Sequence, residues 1–294
     1  MNTTYALITP AHNEDMYIEQ LIEAVLTQTI RPMRWVIVDD ASTDRTGQIV
    51  RSYCQQYNFV YYHRIEPNTI VSYYSRRTHV CLEGFKQIKH DEYDFIGVLD
   101  ADITLPPDYY ENILCEFERN PKLGVASGIY IDKVDGRYRK VIRSNISTSG
   151  GIQMFRRECY EQIGGYKPLR YGGDDSLAEY MARMNGWQTS SFPAHVAVHH
   201  RPMGTRGGVN MVKVRLRNGL SDYYLGSNII FVLMKSLWRC LIERPLVIGG
   251  LARMCGFLAG YFSNHSREVP SDVVKYIRKE QMCRLLGVKY KPNA

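Results

Sequence analysis

Short apolar runs alternate with segments of helical hydrophobic spacing over the first hundred residues. Runs of aliphatic and aromatic residues predict strands, whereas apolar residues three or four positions apart predict helices. The pattern predicts strands at residues 5–9, 35–38, 59–63 and 95–99, and helices at residues 15–27, 44–53 and 75–88. Because strands that alternate with helices are typical of parallel sheets with right-handed crossovers, we expect an α/β protein with a doubly wound, mostly parallel sheet flanked by helices.

Two longer apolar stretches, residues 229–242 and 245–262, lie in the last third of the chain. Each is interrupted by Lys or Arg and is shorter than the roughly 20 apolar residues that a membrane-spanning helix needs. We expect helices that either lie at an anionic membrane surface, pack on the core or form a homodimer contact. Residues 201–294 are therefore predicted to form a helical C-terminal extension of a domain at residues 1–200.

The composition predicts a folded protein of the cytoplasm. The 294 residues are 45% hydrophobic, which is enough to bury a large core. The seven cysteines show no CxxC spacing, and an odd number of this kind favours reduced thiols over disulfides or a zinc site. The N-terminal residues have no basic segment followed by a long apolar one, so we do not expect a secretory signal peptide.

The formal net charge of +7 is divided unequally along the chain. Residues 1–200 carry 21 Lys and Arg against 25 Asp and Glu, a net charge of −4, whereas residues 201–294 carry 16 against 5, a net charge of +11. A basic segment attracts nucleic acid, an anionic membrane or a phosphorylated substrate, and composition does not choose among them.

Three polar clusters follow predicted strands, at residues 9–14, 39–44 and 100–102. Each one alone is also typical of a turn or a helix cap. Because the carboxyl ends of parallel strands meet at one edge of a sheet and ligands bind there, the three clusters together predict a binding site. Two acids at the end of a buried strand, Asp100 and Asp102, are costly unless a cation or donor compensates them. They predict a divalent cation, either Mg²⁺ or Mn²⁺.

These clusters, in this order, resemble motifs of family-2 glycosyltransferases with the GT-A fold. The motifs are TPAHNE at residues 9–14, VIVDDASTD at residues 36–44 and LDAD at residues 99–102. The resemblance continues through residues 150–157, 163–166 and 173–175 and covers about residues 4–200. It implies an inverting, metal-dependent enzyme that moves a sugar from a nucleotide-sugar to a hydroxyl acceptor in polysaccharide or glycolipid assembly.

The resemblance also implies which residues bind the donor. Asp40 would accept a hydrogen bond from a uracil-like base, which favours a UDP-sugar. The main chain of Thr9 and Pro10 would border the same pocket. Asp39 would either contact the base or ribose or cap the turn.

The resemblance places the metal next to the donor diphosphate. It makes Asp102 a direct ligand, with Asp100 on the ribose or on a metal-bound water. A histidine is a further ligand in some relatives, here His199 or His200, although an ordinary polar strand end is the alternative. Strand alternation predicts that His195 and His199 share one face and that His200 lies on the other.

Two acids, Asp174 and Asp175, begin a predicted amphipathic helix. The resemblance makes Asp175 the general base that takes the acceptor proton in a single displacement, with Asp174 orienting the acceptor or the base. Acids at a helix N-terminus are also favoured by the helix dipole, so capping is the alternative.

Three arginines lie near the predicted donor edge. Arg201 is a candidate contact for the diphosphate. Arg76 and Arg77 begin a predicted helix and either approach the donor or are solvated.

Two other classes of function fit parts of the sequence. A sugar-1-phosphate nucleotidyltransferase needs a glycine-rich loop after the first strand, and residues 9–14 contain no glycine. A nucleic-acid-binding protein fits the basic extension, but the acidic clusters would repel phosphate chains, so we expect no nucleic-acid partner. The expected partners are a nucleotide-sugar donor, a sugar or lipid-linked acceptor and the cytoplasmic face of a membrane.

Overall fold

The structure is a computed structural model. It describes residues 3–66, 72, 74–134, 137–140, 144–201, 210–242, 245–263, 265–288 and 290. Within these ranges one sheet of nine strands is flanked by helices.

The strands form a sheet whose first half is parallel. They are β1 Tyr5–Ala11, β2 Arg34–Asp40, β3 Val60–Ile65, β4 Phe95–Val98, β5 Ile103–Thr104, β6 Leu123–Val134, β7 Arg137–Lys140, β8 Met154–Arg156 and β9 Gln188–His199. Their order is β3-β2-β1-β4-β8-β6-β9-β5, with β7 paired to β6. The pairs among β3, β2, β1 and β4 are parallel, and β8 then joins β4 antiparallel. The parallel half therefore delivers the ends of β1, β2 and β4 to one edge.

The helices lie between and after the strands. They are α1 Ile18–Leu26, α2 Thr46–Cys54, α3 Arg76–Ile88, α4 Tyr109–Arg119, α5 Arg157–Gln162, α6 Asp174–Met184, α7 Met211–Tyr224, α8 Ile229–Ile242, α9 Ile248–Ala259 and α10 Ser271–Leu285. Of the helices in the described ranges, none has the length and apolar character that would let it cross a bilayer. The predicted α/β class and the helical C-terminal extension are confirmed.

Hydrophobic cores cover both faces of the sheet. Successive strand residues point to opposite faces, so Leu7 packs in the core with α1 and α4, and Ile8 packs in the core with α3. The contact with α3 is close because Gly84 has no side chain, and a Cβ there would lie 2.6 Å from Ile8 Cγ2. This packing holds the start of α3 next to the carboxyl edge of the sheet.

The C-terminal extension packs against α6. Ile277 of α10 lies in one buried cluster with Leu177 and Tyr180 of α6. Gln281 reinforces this contact, since its amide nitrogen donates to the Tyr180 hydroxyl over 3.1 Å. The helix that begins with Asp174 and Asp175 is therefore held between the sheet and the extension.

Candidate active site

The first two polar clusters are joined by hydrogen bonds at the edge of the sheet. The Asn13 amide N–H donates to Ser42 Oγ over 2.9 Å, and Asn13 Oδ1 accepts from the Thr43 amide over 2.8 Å. The Glu14 amide donates to Thr46 Oγ1 over 2.8 Å. The convergence predicted from the strand ends is therefore present, and the loops after β1 and β2 support each other.

Asp39 is occupied by protein groups. Its fully buried carboxylate accepts from the Ser42 amide at 2.8 Å, the Tyr62 hydroxyl at 2.5 Å and Arg64 at 2.9 Å. Burial acts to raise the pKa of Asp39, but these hydrogen bonds and the Arg64 charge outweigh it and lower that pKa. The hydrogen bond from the Ser42 amide is the turn cap that was one of the two roles expected of Asp39.

Asp40 pairs with Arg76 at the start of α3. Arg76 donates to both carboxylate oxygens through Nε and through a terminal nitrogen, the latter over 2.9 Å. The Asp40 side chain is only 7% exposed, whereas that of Arg76 is 33% exposed. Arg76 thus begins α3 with its guanidinium on the carboxylate that is predicted to bind the base.

Thr9 and Pro10 lie at the end of β1, between β2 and β4. The Thr9 side chain is fully buried and its hydroxyl accepts from Trp35 Nε1 over 2.9 Å. Pro10 is half-buried and lies opposite Val38 of β2. The Thr9 hydroxyl is thus engaged in the core, which leaves the main chain as the part of Thr9 that can border a ligand.

Arg77 connects Asp100 to the start of α6. Its Nε donates to Asp100 Oδ1 over 2.8 Å, and a terminal nitrogen lies 3.7 Å from Asp174 Oδ2. Another terminal nitrogen donates to the Gly150 carbonyl over 2.9 Å. Arg77 is therefore also part of the site and not a solvated residue of α3.

Gly150 and Gly151 lie between these acids. A Cβ on Gly150 would lie 2.5 Å from Asp175 Oδ2, and one on Gly151 would lie 2.6 Å from Asp100 Oδ2. No side chain larger than hydrogen fits at either position without displacing a carboxylate. The two glycines therefore allow Asp100 and Asp175 to approach the same stretch of backbone.

The two acids of α6 differ in their surroundings. Asp174 is buried, and its Oδ2 accepts no hydrogen bond from the described residues. Burial raises the pKa of Asp174, and the nearby charge of Asp175 raises it further. Asp175 is half-buried, and its Oδ1 accepts from the adjacent Ser176 amide over 2.8 Å. The N-cap residue is Gly173, with φ of 101° and no side-chain capping bond, and both acids lie in the first turn of α6, where the helix dipole also favours them.

A second ion-pair network surrounds Asp102. Arg201 donates to Asp102 Oδ2 over 2.9 Å and to Glu14 Oε2 over 2.6 Å. His199 Nε2 lies 3.5 Å from Asp102 Oδ1, and its Nδ1 lies 2.8 Å from Asp132 Oδ1. The network brings together residues from the loops after β1 and β4, from β6 and from the end of β9.

The charges in this network shift the pKa values of its members. Burial acts to raise the pKa of Asp102, but His199 and Arg201 outweigh it and lower that pKa to about 2. Burial acts to lower the pKa of His199, but the carboxylates of Asp102 and Asp132 raise it to about 9. As the structure stands, the charge on Asp102 is thus balanced by two cationic side chains.

The three histidines of this region occupy different places. His199 contacts Asp102, whereas His200 Nε2 lies 2.9 Å from Thr104 Oγ1. His195 lies 3.9 Å from Glu116 of α4. The register of β9 against β6 shifts between Phe192 and Val196 and is then regular up to His199, so the shared face of His195 and His199 stays a prediction.

Two members of the site had no assigned role in the sequence. Glu14 lies within the first cluster but was not distinguished from its neighbours. Asp132 gave no signal, because it reaches the site only through the pairing of β6 with β9, where it lies opposite His199. The partners of a site residue across a sheet depend on register, which local patterns do not show.

The comparisons with known proteins agree with this geometry. The family model of Glycosyl transferase family 2 matches residues 6–177. The minor teichoic acid biosynthesis protein GgaB of Bacillus subtilis (strain 168) is 27% identical over 123 residues, which cover 40% of this chain and 12% of that protein. Matches of this kind span between 12% and 30% of the length of the curated relatives.

Solved structures share the fold over nearly the whole chain. The mannosyltransferase PcManGT from Pyrobaculum calidifontis, in complex with GDP-Man and Mn²⁺, has a TM-score of 0.57 at 18% identity and covers 99% of this chain and 77% of its own. Residues 1–349 of Staphylococcus aureus TarS, in complex with UDP-GlcNAc, have a TM-score of 0.55 at 16% identity and cover 98% and 93%. Because the family model matches more than half of the 294 residues, the chain belongs to glycosyl transferase family 2, the enzymes that transfer glycosyl groups.

Proposed function

We propose that this chain is a metal-dependent, inverting glycosyltransferase that moves a sugar from a nucleotide-sugar, a UDP-sugar in preference, to a hydroxyl acceptor in polysaccharide or glycolipid assembly. The observation that carries the proposal is the placement of three acid groups along one sheet edge. They are Asp40 on Arg76, Asp100 and Asp102 after β4, and the Asp174–Asp175 pair beside Gly150.

Donor binding is supported by the groups around Asp40. A carboxylate accepts a charge-assisted hydrogen bond from a base N–H, and the pairing with Arg76 orients Asp40 for this contact. The complexes of PcManGT with GDP-Man and of TarS with UDP-GlcNAc support a nucleotide-sugar as the donor class. They contain different bases, so the preference for uracil rests on Asp40.

Two protein groups are suited to hold a divalent cation. Asp102 Oδ1 and His199 Nε2 lie 3.5 Å apart. They would offer one oxygen donor and, after loss of the His199 Nε2 proton, one nitrogen donor, which suit Mn²⁺ and, with less preference for nitrogen, Mg²⁺. Among the described residues no set of three His, Cys, Asp or Glu could hold a metal, and in this proposal the donor diphosphate and water would complete the coordination. When bound, such a cation supplies charge stabilisation for the departing diphosphate. The bound PcManGT complex contains Mn²⁺.

Asp175 is the proposed general base. Its carboxylate is half-buried beside the backbone of Gly150, on the same side of the site as Asp100. Proton removal from the acceptor hydroxyl during a single displacement inverts the anomeric centre. Asp174, buried behind it and 3.7 Å from Arg77, positions the start of α6.

The deciding experiment is isothermal titration calorimetry with UDP-, GDP- and dTDP-sugars, each with and without Mn²⁺. We expect the UDP-sugars to bind best and Mn²⁺ to strengthen their binding. An exposed acid that precedes α4, Asp108, offers a matched control, because Asp108→Asn changes a helix-start acid outside the site. Absence of binding by every donor with metal present would exclude the proposal, and a GDP-sugar preference would correct the base assignment.

A further inference from the structure

Helix α8 presents apolar side chains to solvent. Eight of its 14 residues are hydrophobic side chains that are at least 37% exposed, among them Leu237, Trp238 and Leu241. The residues that it buries are Val232 and Ser236. A surface helix of a water-soluble protein has the opposite orientation, with its apolar side against the core.

Helix α9 is oriented in the same way. Its buried side carries glycines, and a Cβ on Gly256 would lie 2.0 Å from the Leu216 carbonyl of α7, while one on Gly250 would lie 2.4 Å from the Ser236 carbonyl of α8. Ile248, Leu251 and Leu258 are exposed. Small residues between helices and large apolar residues outside are the arrangement of helices that face lipid.

Charged groups occupy the interior of these helices. Asp222 of α7 accepts from Arg253 Nε of α9 over 2.8 Å and from Lys235 Nζ of α8 over 3.0 Å. Asp222 and Arg253 are both buried. The three helices thus share an ion cluster on the inside and leave their hydrophobic residues outside, as in helices whose exterior is not water.

The exposed apolar side chains form one surface, which we call the α8–α9 face. It consists of the outward side chains of α8 and α9, together with Leu246, Val247, Tyr261 and Phe262 between and after them. Exposure runs along the full length of both helices and reaches 76% at Leu241 and 88% at Phe262. An apolar surface of this extent indicates an interaction site.

We infer that the α8–α9 face docks on an anionic lipid bilayer, with both helices lying in the plane of the interface. The net charge of +11 on residues 201–294 attracts an anionic surface, whereas it would oppose the apposition of two copies of the same segment. Tryptophan and tyrosine within an apolar face are typical of the membrane interface. Docking does not require sugar transfer, so it is testable without a donor.

The test is co-sedimentation of the full chain with vesicles of phosphatidylcholine, alone or mixed with phosphatidylglycerol. We expect the protein to bind the anionic vesicles. Its partition coefficient on the neutral vesicles should be lower by roughly tenfold or more. For the double variant Leu241→Gln/Phe262→Gln, the partition coefficient on the anionic vesicles should fall by roughly tenfold or more. Its matched control, Met33→Gln/Leu286→Gln, changes two exposed apolar residues outside the face and should bind like the parent.

The depth to which the α8–α9 face enters the bilayer is measured by quenching of tryptophan fluorescence with brominated lipid. Trp35 is fully buried, and Trp187 is half-buried outside the face, where its Nε1 donates to Gln162. Trp238 is 48% exposed within the face, so the quenched component should disappear in Trp238→Phe while vesicle binding is retained. Equal vesicle binding by the parent and by Leu241→Gln/Phe262→Gln would overturn the inference. Failure of the parent protein to bind any vesicle would also overturn it. If light scattering then shows a dimer that Leu241→Gln/Phe262→Gln dissociates, the face is a contact between two copies of the chain.

Discussion

At the scale of single residues, adjacent acids differ because neighbouring strand positions face different partners. Asp39 points toward β3, where Tyr62 and Arg64 bind it, whereas Asp40 meets Arg76 of α3. Side chains alternate between the faces of a strand, so one position separates a structural acid from one that can meet a ligand. The sequence left both roles open for Asp39, because the Tyr62 and Arg64 partners that occupy it lie on a distant strand.

The role of Asp175 is tested by Asp175→Asn. The amide keeps the shape of the side chain but removes the proton acceptor, so donor affinity should be retained while kcat falls by roughly 10²–10⁴-fold. Single-turnover transfer and donor titration measure the two quantities separately. Asp108→Asn is the control, and parental transfer by Asp175→Asn would remove Asp175 from the role of base.

The buried acid Asp174 should lower the stability of the protein at neutral pH. Its pKa is raised, so the folded state holds the proton more tightly and stability falls as the pH rises from about 4 through the folded pKa. Asp174→Asn should therefore raise the free energy of unfolding at pH 7 by about 0.5–2 kcal/mol, and the gain should shrink as the pH falls toward 4. Urea titrations at both pH values measure this, and a destabilised variant at pH 7 would show that the Arg77 pairing outweighs the cost of burial.

At the scale of elements, periodicity predicted what forms but not how it is oriented. The run at residues 229–242 was predicted as a helix, and α8 has these bounds. Its apolar side faces outward because the ion cluster around Asp222 and the glycines of α9 occupy the interior, and both are contacts between distant segments. The shift in β9 between Phe192 and Val196 is likewise set by pairing with β6 and not by local sequence.

The ion cluster should be essential for the packing of α7, α8 and α9. Burial acts to raise the pKa of Asp222, but Arg253 and Lys235 lower it to about 2, so its contribution is present above pH 4 and is lost as the pH falls through about 2. Asp222→Asn leaves two cations without a counter-charge and should cost about 3–5 kcal/mol at pH 7. Guanidinium unfolding measures the loss, with the exposed Asp272→Asn of α10 as control. A change below about 0.5 kcal/mol, the usual effect at a surface site, would show that the cluster does not support the fold.

At the scale of the whole molecule, the acidic site and the basic extension meet at α6. The Ser221 hydroxyl of α7 donates to the Gly172 carbonyl over 2.7 Å, two residues before Asp174. On the opposite side of α6, Gln281 of α10 holds Tyr180. A surface bound by the extension would therefore be fixed relative to the acids of the site, which suits an acceptor presented from that surface.

Donor and cation binding should appear in the stability of the entire chain. A ligand that binds only the folded state at 100 times its Kd adds about 2.7 kcal/mol, which raises Tm by roughly 4 °C for a chain of this size. We expect a shift of this order with UDP and Mn²⁺ together. In Asp102→Ala the part of the shift that depends on Mn²⁺ should vanish, because the carboxylate proposed to hold the cation is absent. Each shift is measured against the same variant without ligand, since loss of Asp102 also removes one of the two acidic partners of Arg201 and one of those of His199. An undiminished Mn²⁺-dependent shift in Asp102→Ala would place the cation elsewhere.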